Sequence, residues 1–291
     1  MKYLKMKKLQ NIKKTMLLVG FLLLFIGLVW IYIYEKKIDY EDCFEFESGR
    51  ITKFKPESCG WEKWKNNEIV IPNKINGKIV KSIGIVDANL HNIENWVFEN
   101  LEWVSVNIPD TINKIDIWAF YNANLESIEI PNSVTEIGLI AFAWNNLKSV
   151  NIPNSVNRLG YAAFISNDLE SITLSKNLSY INHYGFAWNK LGSINILNSV
   201  ERIGSNAFRD NKLESVEIPD SVKEIAWRAF WENEITKVRM PENMKISNVM
   251  WGIFDEEIEF GLRYVKWGRK EWVYIRDNPE SLEWRFEWSN E

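Results

Sequence analysis

A repeat governs what this chain can fold into: phenylalanine recurs every 22 residues, at Phe98, Phe120, Phe142, Phe164, Phe186, Phe208 and Phe230. A second column keeps the same interval through Ile108-Pro109, Ile130-Pro131, Ile152-Pro153, Leu174-Ser175, Ile196-Leu197, Ile218-Pro219 and Met240-Pro241. Further apolar columns run through Ile112, Val134, Val156, Leu178, Val200 and Val222, through Ile115, Ile137, Leu159, Ile181, Ile203 and Ile225, and through Leu125, Leu147, Leu169, Leu191, Leu213 and Ile235. Each unit offers five or six apolar positions, too few to bury a core alone. Stacked units share one core, so the repeats form one solenoid domain.

Within a unit, Leu125-Glu126-Ser127-Ile128-Glu129-Ile130 alternates with the period of a short strand, Ile128 and Ile130 inward and Ser127 and Glu129 outward. The following proline lacks the amide that would extend the ladder, and Asn132-Ser133 and its equivalents make a turn. Gly138, Gly160 and Gly204 mark a tight bend or a close approach between coils; Asp116, Asn182 and Ala226 fill the same column, so not every coil requires a left-handed glycine there. No repeat segment has the length of an ordinary surface helix, and at most a one-turn helix fits near the Ala-Phe step.

Asn145, Asn167, Asn189, Asn211 and Asn233 each stand two residues before the leucine column. An amide at a fixed turn can bond the backbone of its own and the neighbouring coil, which predicts a ladder along the solenoid. This Asn-x-Leu pairing, in units such as LESIEIPNSVTEIGLIAF and LESVEIPDSVKEIAWRAF, resembles the BspA-like subclass of leucine-rich repeats over about residues 70–255. FESGRITKF and VIPNKINGKIVKSIG look like that family's opening hairpin and first coil, whereas IVDANLHNIENWVF departs from it by lacking the Ala-Phe step. The resemblance implies a mainly β, right-handed-type solenoid of short strands. It also implies a surface protein that binds matrix, host or neighbouring-cell proteins, with no family-wide catalytic set. The register predicts about seven coils.

The amino terminus speaks to compartment. Lys2, Lys5, Lys7, Lys8, Lys13 and Lys14 precede Met16 to Tyr34, a run of 19 residues without a charge. At about 1.5 Å per residue that run covers about 28 Å, enough to cross a bilayer core. The lysines place the tail in the cytoplasm, and Trp30, Tyr32 and Tyr34 suit the opposite interface. A cleaved signal peptide is the alternative, but its apolar region would be shorter and followed by a small-x-small site. The expected organisation is a basic cytoplasmic tail (1–14), a single transmembrane anchor (15–34), a membrane-proximal cap (35–69), the solenoid (70–255) and a closing segment (256–291). In that last segment Ile258, Phe260, Leu262 and Tyr264 alternate as strands would; it reads as a cap or as a small aromatic-rich recognition module.

Two cysteines, Cys43 and Cys59, follow the apolar run. In an oxidising exterior they can close a loop and stabilise the cap by about 3 kcal/mol; the alternative is a pair of thiols. With no histidine nearby neither suits a nucleophile or zinc ligand. The chain carries 35 basic and 39 acidic residues; with the six tail lysines set aside, 29 basic residues face 39 acidic ones, a formal charge of −10. That balance argues against nucleic acid as a partner, because backbone affinity needs a basic footprint.

Catalysis finds little support. His91 lies in the irregular first coil and His183 at a variable polar position of a repeat, both better read as structural or surface residues. The outward strand column Glu129, Asn151, Thr173, Asn195, Glu217 and Arg239 is no continuous acidic track for calcium. No catalytic, cofactor-binding or metal-ligating residue is assigned. Trp144 and Trp188 are the sharper feature: they occupy the second position after the phenylalanine, alternating with Asn122, Ser166, Asp210 and Glu232, and Trp231 lies beside the same column. A column that tolerates polar side chains is expected to be partly exposed, with the two indoles about 10 Å apart. Such aromatics can anchor a protein or glycan, the alternative being that, among 15 tryptophans, these too cover loops and fill edges. The expectation is a non-enzymatic, membrane-tethered, extracytoplasmic protein-binding or adhesion scaffold, or alternatively a structural or assembly component of the cell envelope.

Overall fold

In the computed structural model the chain divides into two units, Met1–Asp39 and Tyr40–Glu291. The structure describes residues 43–55, 68–84, 97–98, 105–241, 271–275 and 285–288, all within the second unit. The predicted tail and anchor, Cys59, His91 and residues 258–264 lie outside the described residues. Among the described residues no helix is long and apolar enough to cross a membrane.

The solenoid opens on a hairpin. Strands β1 (Phe44–Glu47) and β2 (Arg50–Phe54) pair antiparallel around Ser48-Gly49, both at positive φ. This is the hairpin expected from FESGRITKF. Next come β3 (Glu68–Val70), the small antiparallel hairpin β4 (Lys74–Ile75) and β5 (Lys78–Ile79), and β6 (Ser82–Ile83). Asn76 (φ 52°) and Gly77 (φ 72°) turn that second hairpin, a backbone that Asn-Gly adopts at low cost.

Most 22-residue coils then lay down strand in two places, but Leu125–Ile130, expected as a strand, holds none, with Ile130 buried and Ile128 half-buried, and 193–195 likewise holds none. One set follows the leucine column: β7 (Ser105–Asn107), β10 (Ser149–Asn151), β12 (Ser171–Thr173), β15 (Ser215–Glu217) and β17 (Lys237–Pro241). The other falls on the isoleucine column: β8 (Lys114–Ile115), β9 (Glu136–Ile137), β11 (Arg158–Leu159), β13 (Tyr180–Ile181), β14 (Arg202–Ile203) and β16 (Glu224–Ile225). Neighbouring coils pair in parallel and in repeat register, Lys114 opposite Glu136 and Glu136 opposite Arg158. The hairpin joins the same ladder through β2 and β6, giving the order β1-β2-β6-β8-β9-β11.

The phenylalanines form the spine. From Phe98 to Phe230 successive rings stack with centroids 5.0–5.7 Å apart and planes within 4–13° of parallel. Phe54 and Phe44 extend the stack into the hairpin, so cap and repeats share one core. All seven repeat phenylalanines are fully buried, each worth about 2–3 kcal/mol of apolar burial. They bracket six turns of solenoid, close to the about seven coils the register predicts.

The asparagine ladder forms as expected. Asn167 Nδ2 donates to the carbonyls of Phe142 (2.9 Å) and Phe164 (3.2 Å), while its Oδ1 accepts from the Leu147 amide (3.2 Å). Asn189 and Asn211 repeat this geometry one coil at a time. Close approach explains the glycine column: a Cβ on Gly160 would lie 2.3 Å from the carbonyl carbon of Gly138. Near Ala-Phe the chain makes hydrogen-bonded turns, such as the Ala143 amide to the Ile140 carbonyl, and no α-helix occurs among the described residues. At the far end β17 pairs antiparallel with β18 (Glu271–Ile275), which pairs with β19 (Arg285–Trp288), so strands do cover the side of β17 away from β15.

Candidate binding surface

The turn around each phenylalanine sets up the surface. From Phe120 to Phe230 each coil takes positive φ at two fixed positions: two before the phenylalanine, at Trp118, Ile140, Ala162, Tyr184, Asn206 and Arg228, and two after it, at Asn122, Trp144, Ser166, Trp188, Asp210 and Glu232, with Asn124 an addition in the first. A left-handed conformation costs a non-glycine residue about 1–2 kcal/mol. What offsets it is pairing between coils. With this backbone every second amide of the turn faces the next coil: Trp118 donates to Leu139 O (3.1 Å), Phe120 to Ala141 O (2.8 Å) and Asn122 to Ala143 O (3.0 Å).

Asparagine, serine and aspartate tolerate that conformation through local hydrogen bonding; tryptophan has no such reason to be there. Trp144 (φ 59°) is 59% exposed and Trp188 (φ 53°) 37% exposed, so burial does not account for them either.

Trp188 belongs to a continuous ribbon. Tyr161 meets Tyr184 at 5.5 Å, Tyr184 stacks on Trp188 at 6.0 Å, and the Arg209 guanidinium lies over both Trp188 (5.3 Å) and Trp231 (4.1 Å). Arg228 continues it, 3.8 Å over Trp231 and 4.0 Å over Trp227. Arg209 also donates from Nε to Glu232 Oε2 at 2.9 Å, which fixes its plane. Stacked cation and aromatic planes hold one another in place and present flat apolar faces beside fixed donors. Tyr161 and Trp227 are 41% and 43% exposed, so the ribbon is open to solvent at both ends.

Of the three tryptophans singled out in the sequence, the ribbon unites Trp188 and Trp231, while Trp144 stands outside it, two coils before Trp188. Sequence reasoning passed over Tyr161, Tyr184, Arg209, Trp227 and Arg228. Their signal was available: all lie within three residues of the phenylalanine column, on the turn that carries the tryptophans.

His183 is half-buried, and its Nδ1 accepts from the Ser205 amide at 2.8 Å, tying two coils together. That bond occupies the imidazole in structure rather than chemistry. Cys43 is buried just before β1, and the bridge predicted to Cys59 extends beyond the described residues. Among the described residues no three or more His, Cys, Asp or Glu side chains gather as metal ligands. A solenoid of this kind presents extended faces suited to protein interaction.

Comparison with known proteins agrees with the repeat. The family profile described as a BspA type leucine rich repeat region, in six copies, matches residues 75–191 and 179–254. No curated protein matches the chain. Similar solved structures include a leucine-rich repeat protein from Bacteroides ovatus ATCC 8483 (23% identity over 62% of this chain and 58% of that one, TM-score 0.42). They also include the pneumococcal vaccine antigen PcpA (20% identity, 66% of this chain and 60% of that one, TM-score 0.44). A third is a leucine rich cell surface protein from Faecalibacterium prausnitzii A2-165 (22% identity, 69% of each chain, TM-score 0.40). The chain thus spans 58% and 60% of the first two structures' lengths.

Proposed function

The chain belongs to the BspA-type leucine-rich repeat family, and on that premise we propose that it is a membrane-tethered, extracytoplasmic scaffold that binds a protein partner through the aromatic side of its turns. The observation that carries this reading is Trp144, an indole 59% exposed at a left-handed backbone position where neither burial nor local preference favours it. Exposed indoles and guanidinium groups on a rigid support are the side chains that dominate binding energy at protein interfaces. The tether rests on the uncharged run from Met16 to Tyr34 behind a lysine-rich tail.

Two measurements test it. Protease added to intact cells making the full chain should remove the repeats and spare an amino-terminal tag; protected repeats would reverse the topology. Covalent crosslinking of the full chain on those cells should yield a specific adduct that the triple change of Trp144, Trp188 and Trp231 to serine reduces by at least about tenfold, the loss of about 1.4 kcal/mol expected when anchors are removed. An adduct of undiminished yield would exclude the aromatic side.

A further inference from the structure

One interface between coils is bonded differently from the others. On the isoleucine side β6, β8, β9 and β11 pair in succession, and so do β13, β14 and β16, but β11 and β13 do not pair. On the strand side β12 pairs back with β10 and meets no strand at 193–195. Both lapses fall between the coil 153–174 and the coil 175–196. Strand is also missing at 127–129, and between 193–195 and β15, yet β8-β9-β11 and β13-β14 carry the isoleucine side there. Among the described residues only the interface of 153–174 with 175–196 loses both. The two widest ring separations of the spine, 5.6 and 5.7 Å, lie on either side of Phe186, in the second of these coils.

Asn182 accounts for the isoleucine side. Elsewhere the amide of this column bonds the preceding coil: Gly138 to Ile115 O, Gly160 to Ile137 O, Gly204 to Ile181 O and Ala226 to Ile203 O, at 2.7–2.8 Å. Here the Leu159 carbonyl accepts from Asn182 Nδ2 instead (3.1 Å), while Asn182 Oδ1 takes the amide of His183 (2.8 Å). A side-chain amide that bonds nearby backbone competes with the strand ladder. The corner that follows β12 is stitched by side chains as well: Ser175 Oγ donates to Val156 O (2.5 Å) and, at the surface, Asn177 Nδ2 to Asn154 O (2.7 Å). Water replaces a bond between exposed groups at little cost, which a continuous strand ladder does not allow. The turn side keeps its regular backbone bonds: Ala162 to His183 O, Phe164 to Gly185 O and Ser166 to Ala187 O, at 2.9–3.0 Å. Asn189 Nδ2 adds its bond to Phe164 O across the same interface (3.0 Å).

We propose that this interface is a hinge: the coils up to Leu174 and those from Ser175 onward swing as two blocks about the phenylalanine turn, opening and closing the strand face. In hinge motion a few residues absorb the change while packed blocks move whole. The pivot is the turn side, because its backbone bonds, the Asn189 amide and the buried rings of Phe164 and Phe186 are the regular contacts that remain. Tyr161 and Tyr184 meet across the pivot at 5.5 Å. The aromatic ribbon therefore stays joined while outward strand residues of the two blocks, such as Ser149 and Ser215, change their separation. The inference rests on the bonding between coils and does not depend on the aromatic side being an interface.

Distance distributions from electron paramagnetic resonance on the full chain test it, with spin labels on genetically encoded residues so that both cysteines stay in place. The exposed pair Ser149 and Ser215 spans the hinge, and the exposed pair Ser105 and Ser171 lies wholly before it. Each pair is separated by three coils, about 14 Å along the solenoid. The distribution for Ser149 and Ser215 should be at least about twice as wide as that for Ser105 and Ser171. Asn182→Ala installs the residue that pairs normally at Ala226 and frees the Leu159 carbonyl for the backbone. It should narrow the distribution across the hinge and leave the other as it was, with an unaltered circular dichroism spectrum verifying the fold. Equal widths for the two pairs in the unmodified sequence, or a wide distribution that Asn182→Ala does not narrow, would each overturn the proposal.

Discussion

The side-chain amide of Asn145 donates to the carbonyl of Phe120, 25 residues earlier, at 2.7 Å, and to that of Phe142 in its own coil at 3.0 Å. One residue therefore joins two coils at the point where each places its phenylalanine in the spine. Side-chain ladder and aromatic stack are two views of a single inter-coil contact.

Asn167→Ala tests that contact. The change leaves the buried Leu147 amide without its acceptor and removes one of two side-chain bonds from each of the Phe142 and Phe164 carbonyls, which Asn145 and Asn189 still engage. An unsatisfied buried group costs about 1–3 kcal/mol, so the variant should lose about 1–3 kcal/mol in urea unfolding. A loss below about 0.5 kcal/mol, the range of an ordinary surface change, would show that water replaces the amide.

Phe164→Ala interrupts the spine midway, between Phe142 at 5.1 Å and Phe186 at 5.6 Å. The expected cost is about 3–5 kcal/mol, with hydrogen exchange accelerated in the coils on both sides because each borrows its core from the other. Exchange confined to the mutated coil would contradict a shared core.

Two glycines make a matched pair. Gly160→Ala forces a Cβ to 2.3 Å from the carbonyl carbon of Gly138 and 2.5 Å from the Leu139 nitrogen, both backbone atoms that move only if the coils part. Overpacking of this kind costs about 1–3 kcal/mol. Gly192→Ala meets nothing within 4 Å and should shift the midpoint little. Equal effects of the two changes on thermal unfolding would remove the steric explanation of the column.

Alkali should weaken the fold. Burial holds the Tyr161 and Tyr180 hydroxyls above 10.0, and the hydrogen bond to Asp116 holds the Lys114 ammonium above 10.5. For each, the folded state keeps its proton longer than the unfolded one, so the contribution is whole below the unfolded value and disappears as pH rises through the folded value. Urea midpoints should therefore be level below pH 10.0 from these groups and fall above it, less steeply in Tyr161→Phe/Tyr180→Phe. An identical alkaline slope in that double variant would assign the fall to other groups.

The sequence by itself determined the solenoid, its inward columns and the asparagine ladder. A coil too small to bury its own core must repeat its apolar positions, and Asn145, Asn167 and Asn189 must recur wherever the same carbonyls do. It also marked Trp144 and Trp188, because aromatics in a column that otherwise holds Asn, Ser, Asp and Glu break the pattern. Only the tertiary structure decided that Arg209 lies between Trp188 and Trp231, and that Tyr161 meets Tyr184 of the next coil. Those relations run across coils, between residues of different columns. A periodic sequence states which residues share a column, while the backbone conformation of the turn, left-handed on both sides of each phenylalanine, decides which columns meet.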